Sequence, residues 1–214
     1  MNLSKYGVPK NNKVLETALT HASYANENGG ECYERLEFLG DAVIELIISD
    51  YLYKHTKKNE GEMSKFRSTY VCESALYAYA ESIGLIKHIK VGEGLKGHVT
   101  ETIVADVFES VVGAIYINSG YNRAKKFVLD IIMPYIKKGV VFSNDYKSYL
   151  QELVQTEKNS VTYKLIKASG PSHNKKFEVE VLVGGIVYGK GTGKTKKEAE
   201  QKAAFNAISK KAGE

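Results

Sequence analysis

The chain has 214 residues, which suits one or two domains with room for a packed core, and its 43% apolar and 26% charged content is ordinary for a soluble globular protein. Cys32 and Cys72 lie far apart without CxxC spacing, which suggests neither zinc nor a disulfide framework and fits a reducing cytoplasm. The longest uncharged run, Ser110 to Asn122, falls short of the ~20 residues a membrane span needs, and nothing after Met1–Lys5 reads as an export signal, so no membrane is expected. Net charge is +5, and all of it lies late: basic and acidic residues number 17 and 17 up to residue 143, then 13 and 8. A neutral front and a basic back suggest that the back holds a polyanion.

In chain order, helix-compatible runs appear at Val14–Ser23, Tyr33–His55, Met63–Ile83, Thr102–Asn118 and Ala124–Ile136. The second is the most informative. Glu34, Glu37, Asp41 and Glu45 fall at i, i+3, i+7 and i+11, one stripe on an otherwise oily helix that carries Leu36, Phe38, Leu39, Val43 and Ile44. The fourth run repeats the arrangement, with Asp106 and Glu109 one turn apart and no other charge between Glu101 and Arg123. Like charges one turn apart repel, and burial raises the cost of each. Either pair alone could cap a helix or meet a buried arginine. With both in apolar contexts and Arg35 the one strong counter-charge within the runs, a bound cation is the better reason, and carboxylate ligands point to Mg²⁺ or Mn²⁺.

Period-two alternation is absent before residue 161, so the front should be all-α. The break at Gly139–Asp145 places a linker at 141–145, between a domain at 1–140 and another at 146–214. The back switches class. Asp145–Lys158 reads as an amphipathic helix with Tyr149, Leu150, Leu153 and Val154 on one face, and Val161–Ile166 as a strand. Lys176–Val183 alternates with Phe177, Val179, Val181 and Val183 inward, Gly184-Gly185 signals a hairpin, and Thr195 caps a helix over Lys196–Lys210. The order is α-β-β-β-α. Gly193-Lys194-Thr195 matches the end of a nucleotide-binding loop, but Tyr188 stands where the first glycine belongs, and no hydrophobic strand ending in Asp is present, so no nucleotide cofactor is expected. Lys194, Lys196 and Lys197 instead gather at a helix N-terminus, where the dipole and free N–H groups favour phosphate.

These residues together resemble a known family over nearly the whole chain. Glu34-Arg35-Leu36-Glu37-Phe38-Leu39-Gly40-Asp41 resembles the signature of ribonuclease III, as do Ala18–Tyr24 and Ala105-Asp106-Val107-Phe108-Glu109. The back is similar to a double-stranded RNA-binding domain at Tyr149-Leu150-Gln151-Glu152 and Lys194–Glu200. The resemblance implies an all-α endonuclease domain followed by an α+β RNA-binding domain, in the short bacterial layout. It implies that Glu37, Asp41, Asp106 and Glu109 are the metal-binding and catalytic carboxylates, with Glu34 and Glu60 as further acids near the scissile strand. Phe38 would enter a socket on the second subunit of a homodimer. Gln151, Glu152 and His173 would touch the minor groove, and Lys194, Lys196 and Lys197 the phosphates across the major groove. Two positions depart from the pattern: Thr195 replaces a usual Ser, and Glu200 stands where a third Lys is common. The implied activity is Mg²⁺-dependent cleavage of double-stranded RNA, leaving 5′-phosphate and 3′-hydroxyl ends with short 3′ overhangs. Ribosomal RNA precursors and structured messenger or small RNAs would be substrates. The rival class, an RNA-binding protein that kept the fold and lost catalysis, is opposed by the presence of all four carboxylates. His21 and His55 read as structural.

Overall fold

The two runs that carry the acids form the two longest helices. The structure, a computed structural model, describes residues 3–9, 11–140, 142, 146–155, 160–171 and 175–211, with backbone alone at 152, 153, 155 and 209–211. It divides into two compact units, residues 1–142 and 143–214.

The first unit contains α1 (Lys13–Ala18), α2 (Ala22–Asn28), α3 (Glu34–His55), α4 (Glu60–Tyr70), α5 (Glu73–Ser82) and α6 (Glu101–Lys137). Val43, Ile44, Ile47, Ile48 and Leu52 of α3 share one core with Val104, Val107, Phe108, Val111 and Val112 of α6. Burial of each such side chain is worth about 1.5–3 kcal/mol, which binds the two helices firmly.

Three expected boundaries move. The run Val14–Ser23 is two helices, because the Lys90 N–H donates to the Leu19 carbonyl at 2.8 Å and the His21 N–H to the Lys90 carbonyl at 2.9 Å. That bridge draws the chain out of the helix at Thr20, and the His21 ring then caps α2 by accepting from the Ser23 N–H at 3.1 Å. The run Met63–Ile83 also divides. A capping box between Asn59 and Glu62 starts α4 early, at Glu60. Cys72, in extended conformation, then begins α5 afresh. Conversely, the last two runs join as α6, broken at Gly120, where φ is +75°. Among the described residues α6 is the one helix long and apolar enough, by composition, to cross a membrane. Its apolar residues on both sides of the break, Val104 to Ile115 and Ala124 to Ile132, are instead largely core.

In the second unit α7 (Tyr146–Gln155) precedes the strands β1 (Val161–Ser169), β2 (Lys176–Val183) and β3 (Ile186–Gly193), then α8 (Lys196–Lys211). The sheet is antiparallel in the order β1-β2-β3. Gly184 and Gly185 take φ of +56° and +84°, as a type I′ hairpin requires. Val179, Val181 and Val183 pack on Ala199, Ala203, Ala204 and Ala207 of α8 and on Leu150 and Val154 of α7. The glycine-rich piece before α8 is strand rather than loop. A Cβ on Gly189 would lie 2.4 Å from the Ala203 carbonyl oxygen, and one on Gly191 2.2 Å from the Ala203 nitrogen. These glycines let α8 lie directly on the sheet.

Candidate metal centre and nucleic-acid interface

The site begins with two glycines. A Cβ on Gly40 of α3 would lie 1.8 Å from the Glu109 carbonyl oxygen, and one on Gly113 of α6 would lie 2.3 Å from the Leu36 carbonyl oxygen. The two backbones therefore touch at the turn that carries the acids, closer than any side chain would allow. As a result Glu37, Asp106 and Glu109, all half-buried, each offer a carboxylate oxygen within 4.8 Å of the others.

Asp41, one turn along α3 from Glu37, is exposed and lies outside this group of three, yet its charge acts on both Glu37 and Glu109. Glu34 is also exposed, and its charge reaches Glu37. Glu60 is not brought to the cluster within one chain. It heads α4, accepts a hydrogen bond from Ser64 Oγ at 2.9 Å, and lines a small cavity with Ser49, Leu52 and Tyr53. Those residues of α3 lie roughly 20 Å along the helix axis from Glu37.

Burial is the main cause of the electrostatic strain here. It pushes the Glu109 carboxyl up to about 8, with further upward push from the charges of Asp41, Glu37 and Asp106. Burial also raises Glu37, aided by Asp106, Glu34 and Asp41. Asp106 is raised by burial and by Glu73, against a hydrogen bond from Tyr33 and the field of His21, both of which lower it. The Tyr33 hydroxyl donates to Asp106 Oδ2 at 3.0 Å, and burial first, then Asp106, hold that phenol far above its usual range. Among the described residues no ion pair ends on any of the three acids. The reading in which these acids meet a buried arginine is thereby removed. Three crowded oxygen donors without a counter-charge can hold a hard divalent cation.

In the second unit Lys194, Lys196 and Lys197 are exposed at the start of α8, and none takes part in an ion pair among the described residues. Thr195 Oγ1 accepts from the Glu198 N–H at 3.1 Å, and the Glu198 carboxylate accepts from the Lys194 N–H at 2.7 Å, so the helix start is held firmly. Glu200, the departure from the pattern, pairs with Lys147 of α7 at 2.6 Å and ties the two helices together. Gln151 is half-buried on α7. The Glu152 side chain and His173 lie outside the described residues. Sequence reasoning missed Tyr33, which carries no charge and stands at the head of its run. It also missed the pairing of Gly40 with Gly113, although a glycine within each acid-bearing helix was a visible signal.

An all-helical unit with an acid cluster at a helix crossing is thus followed by an α-β-β-β-α unit with lysines at the start of its last helix, and comparison with known proteins gives this pairing its class. The family described as Ribonuclease-III-like matches residues 11–136, and the Double-stranded RNA binding motif matches residues 146–211. Ribonuclease 3 of Onion yellows phytoplasma is 45% identical over 206 residues, covering 94% of this chain and 86% of that protein. Ribonuclease 3 of Listeria monocytogenes serovar 1/2a is 44% identical over 210 residues, covering 94% and 92%. The solved nuclease domain of ribonuclease III from Campylobacter jejuni, described as flexible in its dimer-forming region, is similar with a TM-score of 0.55 and 33% identity, over 62% of this chain and 97% of that one. The chain belongs to the ribonuclease III family. It is an endoribonuclease with a double-stranded RNA-binding domain, and its family is metal-dependent.

Proposed function

We propose that this chain forms a homodimer that uses Mg²⁺ to hydrolyse both strands of double-stranded RNA. The ends left are 5′-phosphates and 3′-hydroxyls with short 3′ overhangs. The observation that carries this reading is the convergence of Glu37, Asp106 and Glu109, with Asp41 beside them. An all-oxygen, mutually repelling donor set fits Mg²⁺, with Mn²⁺ able to substitute. Held by these carboxylates, Mg²⁺ would supply a water deprotonated readily enough to act as the nucleophile at phosphorus, and positive charge for the departing 3′ oxygen. The protein holds these carboxylates half-buried at the crossing of α3 and α6, and Glu109 would give up its proton on binding an ion. The exposed lysines of α8 hold phosphates of an A-form duplex, whose shape is read more than its sequence. Ribosomal RNA precursors and structured messenger or small RNAs in a reducing cytoplasm are the matching substrates and setting. The free thiols of Cys32 and Cys72 are in keeping with that setting. Cleavage of a long RNA duplex by the full chain with Mg²⁺, Mn²⁺ and EDTA, with the ends typed by phosphatase and kinase labelling, tests the proposal. Undiminished cutting in EDTA, or 3′-phosphate ends, would defeat it.

The homodimer reading is supported by α3's outer face. Phe38 is 83% exposed there, with Leu46 at 56% and Tyr53 at 78%, at spacings that share one stripe. A cleft of about 620 Å³, lined by Val14, Cys32, Leu36, Leu39 and Ile117 among others, is roomy enough to take the partner's phenyl ring. Phe38→Ala would then leave that socket empty and weaken association by about 2–4 kcal/mol. Sedimentation of the variant checks this, and an unchanged dimer with unchanged activity counts against it.

A further inference from the structure

Beside the acid cluster stands one buried residue with no charge of its own. Tyr33 is 4% exposed and sits where the chain enters α3. Its backbone N–H donates to the Thr20 carbonyl at 2.9 Å, and its ring lies against His21 at 5.7 Å between centroids. Ring and backbone are thus fixed before the hydroxyl is considered. That hydroxyl reaches from the start of α3 to α6 and donates to Asp106 Oδ2 at 3.0 Å.

We infer that Tyr33 is a positioning residue for the metal centre, its hydroxyl locking the Asp106 carboxylate in the orientation that offers its other oxygen to the ion. The inference rests on the Mg²⁺ reading above and extends it by one residue. Asp106 shares its 4.8 Å neighbourhood with Glu37 and Glu109, and Glu73 adds a further negative field. Repulsion of that kind turns an unanchored aspartate outward, away from the group. A donor on a rigid buried ring holds it in, and the cluster stays assembled before any cation arrives. Partners that orient ligands in this way are commonly worth 10- to 100-fold in metal affinity. Tyr79 supplies the contrast within the same unit. It is also fully buried, but its hydroxyl donates to the Tyr70 backbone carbonyl at 3.2 Å, which ties core to core.

The test uses the full chain without RNA, titrated with Mn²⁺ and followed by the electron paramagnetic resonance of the free ion. Tyr33→Phe removes one oxygen and keeps the ring. It should weaken Mn²⁺ binding about 10- to 100-fold, whereas Tyr79→Phe should leave binding unchanged. In cleavage assays the half-saturating Mg²⁺ should rise by the same factor, while kcat at saturating Mg²⁺ and KM for the duplex stay within about threefold. On an Asp106→Asn background, Tyr33→Phe should cause no further loss of Mn²⁺ affinity, since the carboxylate it acts through is gone. Equal Mn²⁺ affinity in wild type and Tyr33→Phe, or a loss that persists undiminished on the Asp106→Asn background, overturns the inference. If the wild-type chain itself binds no Mn²⁺, the metal reading falls first and this one with it.

Discussion

The first unit half-hides its decisive charges and the second displays them. Glu37, Asp106 and Glu109 crowd within 4.8 Å at a helix crossing, whereas Lys194, Lys196 and Lys197 stand in water at a helix start. At an effective dielectric near 20, two ionised carboxylates at 4.8 Å repel by about 3 kcal/mol. A fold accepts that cost when protons or a cation relieve it. Exposed lysines face no such demand, because physiological salt screens them over about 8 Å. The first site should therefore answer to divalent ions and pH, and the second to ionic strength.

The largest effect is expected from Glu109→Gln. It keeps size and hydrogen-bonding capacity while removing the acid that burial and its neighbours strain most. Mg²⁺-dependent cleavage should fall by more than about 100-fold, beyond the usual cost of losing a mere outer partner. Duplex binding, measured by filter retention, should survive. Near wild-type cutting by this variant would show that the crossing is not the reaction centre.

Gly40→Ala should come next. Its added methyl would meet the Glu109 carbonyl oxygen at 1.8 Å, so α3 and α6 must part. Overpacking of this kind costs about 1–3 kcal/mol, read as a lower unfolding midpoint of the first unit. Cleavage should fall more than stability does, since the carboxylates move with the backbones. A variant that loses stability but retains full activity would break the link between helix approach and site assembly.

How much of this was legible beforehand follows from which interactions are local. The acidic stripe, the second acid pair, the alternation of β2 and the Gly184-Gly185 hairpin depend on neighbours in sequence, and each was readable. The division at Thr20 was not, because its cause is a bridge to Lys90, far along the chain. Nor could the stripe say which acids converge. Glu37 joins Asp106 and Glu109 because Gly40 and Gly113 bring their turns together, while Asp41, next to Gly40, lies outside the 4.8 Å group and reaches Glu109 through its charge. Glu60 was assigned by resemblance alone, and the single chain does not carry it to the cluster.

A smaller effect should appear in the pH dependence of the metal-free protein. The folded-state Glu109 carboxyl is raised from 4.5 to about 8, so the folded form holds this proton more tightly than the unfolded one. Its contribution to stability is full below about 4.5 and is lost as pH rises toward about 8. The difference in unfolding midpoint between wild type and Glu109→Gln should therefore move in favour of the variant across that window. Saturating Mg²⁺ should reverse the trend in the wild type, because the ion takes the deprotonated site. A flat difference across the window would mean that Glu109 is already ionised in the folded chain.

The smallest effect per residue belongs to the displayed charges. Lys196 and Lys197 are exposed at the start of α8, and no ion pair among the described residues engages them, so their replacement leaves the core untouched. Each lysine that neutralises a phosphate releases counterions and adds roughly 0.7–0.9 to the slope of log K against log salt. Lys196→Ala with Lys197→Ala should flatten that slope by about 1.5 and weaken duplexes of every sequence alike. Cleavage should fall most at physiological salt and recover partly at low salt, because the carboxylates remain in place. Binding titrations of 1–142, 143–214 and the full chain on one duplex supply the control. If the first unit alone carries the full salt slope, the α8 lysines are merely a solvated helix face, and the division of labour between half-buried acids and exposed bases does not hold.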